Sequence, residues 1–331
     1  MSLTSRLAPH LPYIRRYARA LTGDQATGDA YVRTTLEALA AKHEVLSVVT
    51  QPDRPKGRGR ELSASPVKQT AQNLGIPVYQ PERIRRPEAQ AHLVALSPEI
   101  MVVVGYGQII PQSVIDIAPR GIVNVHASLL PKYRGAAPIQ WAIANGETRT
   151  GVTTMQINAG LDTGDILLAR ETPIGPDETA IELGERLAVM GAGVLIETLD
   201  GLARGAITPR PQDDAQATFA PILKKETGAI SWAAAASTVH NRVRGLLPWP
   251  GAYTQFRGHL LHIWQARLAG ERTRLAPGQL LKGAGFRVAC GSGSVLQLVE
   301  VQMEGRKRMD AGAFANGQRL RENEILGEET N

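Results

Sequence analysis

GIVNVHASLLPKYRGAAPIQW, residues 121–141, opens with the apolar run Gly121 to His126, which predicts a buried β-strand. Similar β-branched runs at Glu44 to Thr50 and Ile100 to Val104 precede it, and helical stretches such as Val67 to Leu74 separate these runs. Strands that alternate with helices indicate an α/β domain with a parallel sheet and helices on both faces. In such folds ligands bind at the carboxyl ends of the strands, so we expect active residues directly after them.

The same stretch contains side chains suited to reaction at a carbonyl group. Asn124 and His126 are two residues apart, so on a strand they point to the same side of the sheet. An amide N–H from Asn124 can stabilise the oxyanion that forms when an amine attacks a carbonyl, and His126 can donate a hydrogen bond or move a proton. Asp162, in the turn GLDTGDI, can orient His126 or hold a proton-shuttling water. Arg134 either binds an anion or braces its loop.

The composition indicates a globular protein, since 43% of the 331 residues are apolar and 21% are charged. No run approaches the roughly 18 apolar residues of a membrane helix, and no signal-peptide pattern occurs, so we expect a cytoplasmic protein without a membrane partner. The single cysteine, Cys290, predicts neither an internal disulfide nor a cysteine metal cluster. A formal net charge of +6 favours an acidic partner, although charge alone does not identify it.

From about residue 35 to residue 326 the chain resembles the 10-formyltetrahydrofolate-dependent formyltransferases, which carry a signature like residues 121–141 followed by GLDTGDI. The resemblance implies a Rossmann-like catalytic domain, 10-formyltetrahydrofolate as co-substrate and no metal. It also implies direct attack by the acceptor amine, with Asn124 and His126 stabilising the oxyanion and Asp162 assisting proton transfer. It also implies that the segments VVVGYG and SLLP line the folate pocket. The expected folate-binding residues are Val104, Gly105, Tyr106, Gly107, Ser128, Leu129, Leu130 and Pro131.

The acceptor is not decided by this signature, because enzymes that formylate glycinamide ribotide or an amino sugar nucleotide share it. The basic loop QPDRPKGRGRELSASPVK, residues 51–68, resembles the loop with which methionyl-tRNA formyltransferases engage the acceptor end of tRNA, and so implies initiator Met-tRNA as the partner. A solvated charge run is the alternative for the loop taken alone. The expected tRNA-binding residues are Arg54, Lys56, Arg58, Arg60, Lys68, Lys224 and Lys225.

Changes in composition predict four regions: a helical leader (1–41), a catalytic domain (42–207), a Pro/Gln/Asp-rich linker (208–217) and a C-terminal domain (218–331). The last is strand-rich, as in a small OB-like barrel, and resembles the tRNA-binding domain of the same enzymes. We expect further positive charge there from Arg242, Arg244, Arg306, Lys307 and Arg308, and core positions for Trp232 and Trp249. We expect a monomer without an obligate protein partner.

The leader departs from the formyltransferase pattern. Residues 1–34 resemble the start of a sigma-factor-like stress-response regulator, whereas formyltransferases begin with an apolar strand that ends in a Met-Gly-Thr-Pro turn. The first strand of such a sheet is normally central, so its loss leaves two unpaired edges, at about 1–3 kcal/mol for each buried polar group without a partner. The alternatives are therefore an active formyltransferase, one that acts on another amine, or an impaired chimera that binds tRNA or folate without turnover.

Overall fold

The computed structural model describes residues 25–56, 61–106, 108–281, 283, 285–321 and 324–327. Residues 1–24, which hold the first half of the predicted leader, lie outside the described residues, as do Arg58, Arg60 and Gly107. The chain forms two compact units. The first contains Met1–Pro138, Arg149–Pro173 and Glu182–Ile222, and the second contains Ile139–Thr148, Ile174–Ile181 and Leu223–Asn331.

Eight α-helices and fifteen β-strands occur in the described ranges. The helices are α1 (Gln25–Ala40), α2 (Pro66–Asn73), α3 (Pro87–Leu96), α4 (Gln112–Ile115), α5 (Pro138–Ala144), α6 (Ala180–Ala203), α7 (Ala236–Gly245) and α8 (Ala311–Gln318). The strands are β1 (Val48–Val49), β2 (Arg54–Lys56), β3 (Glu61–Ser63), β4 (Val78–Tyr79), β5 (Met101–Val103), β6 (Ile122–His126), β7 (Arg134–Gly135), β8 (Arg149–Gln156), β9 (Ile166–Pro173), β10 (Phe219–Ala220), β11 (Ala252–Phe256), β12 (His259–Arg272), β13 (Phe286–Ala289), β14 (Ser294–Met303) and β15 (Met309–Asp310).

The main strands of the first unit form two separate sheets. Strand β1 pairs in parallel with β4 alone, while β5, β6, β8 and β9 form a four-stranded sheet in that order. Strands β5 and β6 are parallel, which confirms the predicted α/β class. The antiparallel continuation through β8 and β9 was not predicted. Among the described strands, β1 and β5 each end their sheet as an edge strand.

Helices pack beside these sheets, and both N-capping and buried side chains fix their positions. Helix α2 begins where the side chain of Ser65 accepts a hydrogen bond from the backbone N–H of Lys68, at 3.2 Å, with Pro66 in the first turn. The long helix α6 turns the fully buried Leu183, Leu187 and Leu195 inward. Its Thr198 hydroxyl lies 2.7 Å from that of Thr154 on β8, which fixes the helix against the four-stranded sheet.

The second unit contains an antiparallel sheet, as the sequence predicts for the C-terminal domain, together with α7, α8 and most of α5. Its strands follow the order β11, β12, β14, β13, and β15 also pairs with β14. Phe314 of α8 stacks against Phe286 and meets Phe256 edge to face in the core. Trp232 is 5% exposed, which confirms its predicted core position, whereas Trp249 is 37% exposed and its predicted core position is wrong.

Two further sequence predictions concern Cys290 and the linker. Cys290 is buried, and this burial raises the pKa of its thiol to about 11, as expected for a residue used in packing. Within the predicted linker, Arg210 and Ile166 exchange two backbone hydrogen bonds of 2.8 and 2.9 Å, so the segment is held to the first unit. Within the described ranges, no helix combines the length and the apolar character that crossing a membrane requires.

A matched pair of leucines tests the core of the second unit. Leu296 and Leu268 are cross-strand partners on β14 and β12, yet Leu296 is fully buried and Leu268 is 53% exposed. We expect Leu296→Ala to lower the free energy of unfolding by about 2–5 kcal/mol, because it removes buried contacts and leaves a cavity. Leu268→Ala should cost well under half of that. Urea unfolding of both variants measures the difference, and equal losses would contradict this description of the core.

Candidate active site

Strand β6 brings Asn124 and His126 to one side of the four-stranded sheet. The strand is paired on both edges, with Asn124 opposite Val103 of β5 and His126 opposite Thr153 of β8. Because side chains alternate along a strand, residues two apart share a side, as the sequence predicted. His126 is buried and Asn124 is half-buried at the carboxyl end of the strand. The pair is therefore held by backbone hydrogen bonds on either side.

The imidazole of His126 has a defined orientation. Its Nε2 lies 2.9 Å from the backbone carbonyl of Tyr133, and a carbonyl can only accept, so Nε2 carries a proton and donates it to this bond. In the neutral ring Nδ1 is then an acceptor, and it faces Oδ2 of Asp162 at 3.8 Å. That distance is too long for a direct hydrogen bond. Two acceptors thus converge on a space that suits a group with several N–H donors.

Asp162 lies in a tight turn between β8 and β9 with a positive φ of 51°. Its Oδ2 accepts a hydrogen bond of 2.9 Å from the backbone N–H of Gly135. The side chain of Asn158 closes the turn by accepting from the N–H of Gly160 and from the hydroxyl of Thr163. The sequence predicted that Asp162 and His126 would lie together, and the structure places them together.

Arg134 braces this turn and is not available to bind an anion. Its guanidinium is 4% exposed and donates two hydrogen bonds, of 3.0 and 2.8 Å, to Oε1 of Gln212, and one of 2.7 Å to Asp214. Gln212 in turn donates to the carbonyls of Asp162 and Gly164, at 2.9 and 2.7 Å. Sequence analysis missed Gln212, because it lies in the stretch whose composition predicted a linker. Of the two alternatives for Arg134, the structure supports the brace.

The segment after β5 lies beside Asn124. Val104, Gly105 and Tyr106 continue from Val103, which pairs with Asn124. The hydroxyl of Tyr106 is buried without a hydrogen-bond partner, and burial, with a smaller contribution from Tyr79, raises its pKa to about 12. A buried hydroxyl without a partner is a ready contact for a polar ligand group.

The SLLP segment, residues 128–131, is held in place by hydrogen bonds. Ser128 is fully buried, and its hydroxyl donates to the carbonyl of Lys132 at 2.6 Å, so its role is to hold the chain. Thr153 donates to the carbonyl of Ser128 and accepts from the N–H of Leu130, at 2.7 and 3.2 Å. Leu130 is buried, whereas Leu129 and Pro131 are half-buried. Apart from Gly107, the predicted folate-binding residues thus lie in the strand-end segment after β5 and in the loop after β6.

The predicted basic loop contains the hairpin of β2 and β3, on which Arg54 and Lys56 lie. Lys68 does not extend into solvent, because its ammonium group pairs with Oδ2 of Asp53 at 2.5 Å. Hydrogen bonds from Lys68 and then Gln80 lower the pKa of Asp53. Lys68 therefore anchors the base of the hairpin. Lys224 and Lys225 are exposed on the second unit.

Two arginines expected on the positive face of the second unit are structural instead. Arg244 is buried and donates to the carbonyls of Gly175 and Glu178 at 3.1 and 2.7 Å. Arg242 donates to the carbonyl of Thr227, and burial lowers the pKa of both arginines. Their expected contribution to a nucleic-acid surface is therefore wrong, since both guanidinium groups already bind backbone carbonyls.

Two models of known protein families match the chain, each over a different range of residues. Residues 20–199 match the family described as formyl transferase, and residues 222–319 match formyl transferase, C-terminal domain. The first match includes the second half of the predicted leader. Together the two matches cover more than half of the chain.

Two bacterial proteins are similar along nearly their whole length. The chain is 63% identical over 300 residues to the methionyl-tRNA formyltransferase of Solibacter usitatus (strain Ellin6076), covering 90% of this chain and 96% of the relative. It is 55% identical over 289 residues to that of Koribacter versatilis (strain Ellin345), covering 87% and 92%. The solved N-formyltransferase of Helicobacter canadensis, in complex with folinic acid and dTDP-3-aminofucose, has a similar fold, with a TM-score of 0.62, 17% identity, and coverage of 82% of this chain and 95% of that one.

Two glycines test how closely Gly135, whose N–H holds Asp162, approaches Ala220 of β10. A Cβ on Gly135 would lie 2.7 Å from the carbonyl oxygen of Ala220, whereas one on Gly121 would meet nothing within 4 Å, and both have positive φ. We expect Gly121→Ala to cost about 1 kcal/mol of stability from backbone strain, and Gly135→Ala about 1–3 kcal/mol more from the added clash. Urea unfolding measures both, and equal costs would contradict the close approach.

Proposed function

The chain belongs to the formyltransferase family, and we propose that it uses Asn124, His126 and Asp162 to transfer a formyl group from 10-formyltetrahydrofolate to the α-amino group of methionyl-tRNA. The observation that carries the residue assignment is that two acceptors, Nδ1 of His126 and Oδ2 of Asp162, lie 3.8 Å apart beside the strand that also bears Asn124. The whole-length similarity to methionyl-tRNA formyltransferases supports the acceptor.

Asn124 acts on the carbonyl side of the reaction. Its side-chain N–H can donate to the formyl oxygen, on which negative charge develops as the amine attacks. Strand pairing on both edges of β6 holds the amide before the substrate arrives. A donor fixed in advance stabilises the transition state without a cost of reorganisation. The chain therefore needs no covalent intermediate of its own.

His126 was expected to help Asn124 stabilise the oxyanion, but its Nε2 donates to the carbonyl of Tyr133, so we assign His126, together with Asp162, to the amine side of the reaction. An attacking amine must lose a proton, and its N–H groups can donate both to Nδ1 of His126 and to Oδ2 of Asp162, which are 3.8 Å apart. The hydrogen bond from Nε2 to Tyr133 keeps Nδ1 free as an acceptor. The N–H of Gly135 holds the Asp162 carboxylate in place, so both acceptors are fixed by backbone groups.

The residues near Asn124 fit a folate. Members of this family use formyl-tetrahydrofolate, which supplies the formyl group when bound. Leu129 and Pro131 offer half-buried apolar contacts, while the partnerless hydroxyl of Tyr106 offers a polar contact after β5. Ser128 and Leu130 fix the SLLP segment through hydrogen bonds to the carbonyl of Lys132 and to the hydroxyl of Thr153.

The exposed positions of Lys224 and Lys225 support tRNA as the acceptor, because cationic side chains on the surface of a protein can contact backbone phosphates. The hairpin of β2 and β3 is the second proposed contact, with Arg54, Lys56, Arg58 and Arg60 as its cations. We propose further that the initiator tRNA is the natural acceptor. We also propose that the protein acts as a monomer in the cytoplasm, where translation uses this tRNA.

The role of Asn124 is tested by Asn124→Ala. We expect kcat/KM for formyl transfer to methionyl-tRNA to fall by about 10²–10³-fold, or about 3–4 kcal/mol, because an oxyanion donor is lost. Asn73→Ala, at an exposed position of α2, is the matched control and should retain full activity. Unchanged turnover by a folded Asn124→Ala enzyme would refute the assignment.

The acceptor is tested by the double variant Lys224→Ala/Lys225→Ala. We expect KM for methionyl-tRNA to rise and the slope of log K against log salt to decrease by about 2, one for each lost phosphate contact. Lys42→Ala, also exposed, should leave both quantities unchanged. Formylation of an amino sugar nucleotide in place of methionyl-tRNA, without competition by tRNA, would refute tRNA as the acceptor.

A further inference from the structure

Gln212 is half-buried, although residues 213–216, which follow it, are exposed to solvent. Its carboxamide makes four hydrogen bonds: Oε1 accepts two from the guanidinium of Arg134, and Nε2 donates to the carbonyls of Asp162 and Gly164. A primary amide has two donor hydrogens and two acceptor lone pairs, so all of its hydrogen-bonding capacity is used. None of it is left for water, which a side chain in a surface linker would normally bind.

The amide of Gln212 can take only one orientation. A guanidinium only donates hydrogen bonds and a carbonyl only accepts them, so Oε1 must face Arg134 and Nε2 must face the turn. Arg134 is 4% exposed, and its guanidinium is held further by an ion pair of 2.7 Å with Asp214. Gln212 is therefore a fixed donor to the turn rather than a freely rotating surface side chain.

The turn that carries Asp162 has a backbone conformation that local preferences do not favour. The φ of Asp162 is 51°, a value that residues other than glycine rarely adopt. A Cβ on Gly164 would clash with the carbonyl oxygen of Gln156, so the turn lies close against the end of β8. Such a conformation persists only where surrounding contacts hold it. The two hydrogen bonds from Gln212, which reach the carbonyls on either side of Thr163, are contacts of this kind.

Two neighbouring residues of β7 hold Asp162 in different ways. The N–H of Gly135 binds its carboxylate at 2.9 Å, whereas Arg134 reaches its backbone carbonyl through Gln212. Loss of the two donors of Gln212 would release the backbone of the turn and leave the bond from Gly135. The carboxylate would then keep one partner, but it would no longer stand on a fixed backbone from which to face Nδ1 of His126.

We propose that Gln212 is a positioning residue for formyl transfer, which acts by holding the carboxylate of Asp162 where the attacking amine can donate to it. This role rests on the proposed function, because it requires Asp162 to take part in the reaction. Gln212 has no free donor or acceptor for a substrate, so it acts through the turn. A reacting group misplaced by about 1 Å can cost about a hundredfold in rate. Loss of Gln212 should therefore lower kcat and leave KM for both substrates nearly unchanged.

Two substitutions of Gln212 test this role. Gln212→Glu keeps the size of the side chain and the acceptor for Arg134, but it places an oxygen against the two carbonyls of the turn. Gln212→Ala removes all four hydrogen bonds. We expect either variant to lower kcat for formyl transfer to methionyl-tRNA by about 10–100-fold, with KM within about twofold. Gln216→Ala is the matched control, since Gln216 is exposed and donates to Asp213, and it should retain full activity.

A second background separates positioning from folding. Asp162→Asn removes the carboxylate, and asparagine tolerates the positive φ of this position. In single turnovers of Asp162→Asn, we expect the added Gln212→Glu to lower the rate by less than about twofold, because the group that Gln212 positions is gone. A side chain needed only for folding would give the same loss in both backgrounds. Circular dichroism and urea unfolding of each variant check the fold, and Gln212→Glu carries the test should Gln212→Ala fail to fold.

Full activity of the folded Gln212 variants would overturn the positioning role, and so would an equal loss of rate in the two backgrounds. Failure of the proposed function gives a different result. If the unmodified chain transfers no formyl group to methionyl-tRNA, or if Asp162→Asn is as active as the unmodified chain, the role of Asp162 is overturned, and the role of Gln212 with it.

Discussion

Strand β6 is hydrogen-bonded on both edges, and this pairing fixes most distances in the site. The ladder to β8 places Thr153 opposite His126, and the hydroxyl of Thr153 reaches the backbone of Ser128 and Leu130 in the loop that follows. The same strand pair therefore orients the imidazole and holds the apolar wall beside it. The ladder to β5 brings Val104 to Tyr106 to the other side of Asn124. Backbone pairing, which is insensitive to side-chain identity, thus provides the rigid frame that preorganised chemistry requires.

Asp162 lies in a turn, and its position depends on the N–H of Gly135 and on a buried polar network. Arg134 is nearly inaccessible, so its charge must be satisfied by Gln212 and Asp214, which lie far along the chain. Gln212 also donates a hydrogen bond to the backbone carbonyl of Asp162, so the network holds the turn in place. Removal of one member of such a network leaves other buried groups without partners, which makes the arrangement strongly coupled. The order of the turn therefore depends on Gln212, which lies 50 positions from Asp162 in sequence.

Local patterns in the sequence were sufficient to predict strands β1, β5 and β6, the shared side of Asn124 and His126, and the antiparallel second unit, but not strands β8 and β9. They were insufficient where a side chain chooses a distant partner. Lys68 was expected to meet phosphate, but Asp53 captures it, and Arg244 binds carbonyls that no sequence pattern connects with it. Gln212 has polar, proline-rich neighbours that are typical of a linker, although its amide joins three segments of the site. Charge and composition indicate which contacts a residue can make, whereas the tertiary structure determines which of these contacts it makes.

The division of the sheet separates the chemistry from the binding of the co-substrate. Asn124 and His126 lie on the interior strand of the continuous four-stranded sheet, with β8 and β9 on one side and β5 on the other. Strand β1 is not part of this sheet among the described residues. Val104 to Tyr106 follow β5, which pairs with β6 alone in the described part of the chain, so the segment proposed to hold the folate has one neighbouring strand. The proposed catalytic residues Asn124 and His126, by contrast, lie on a strand that is paired on both edges.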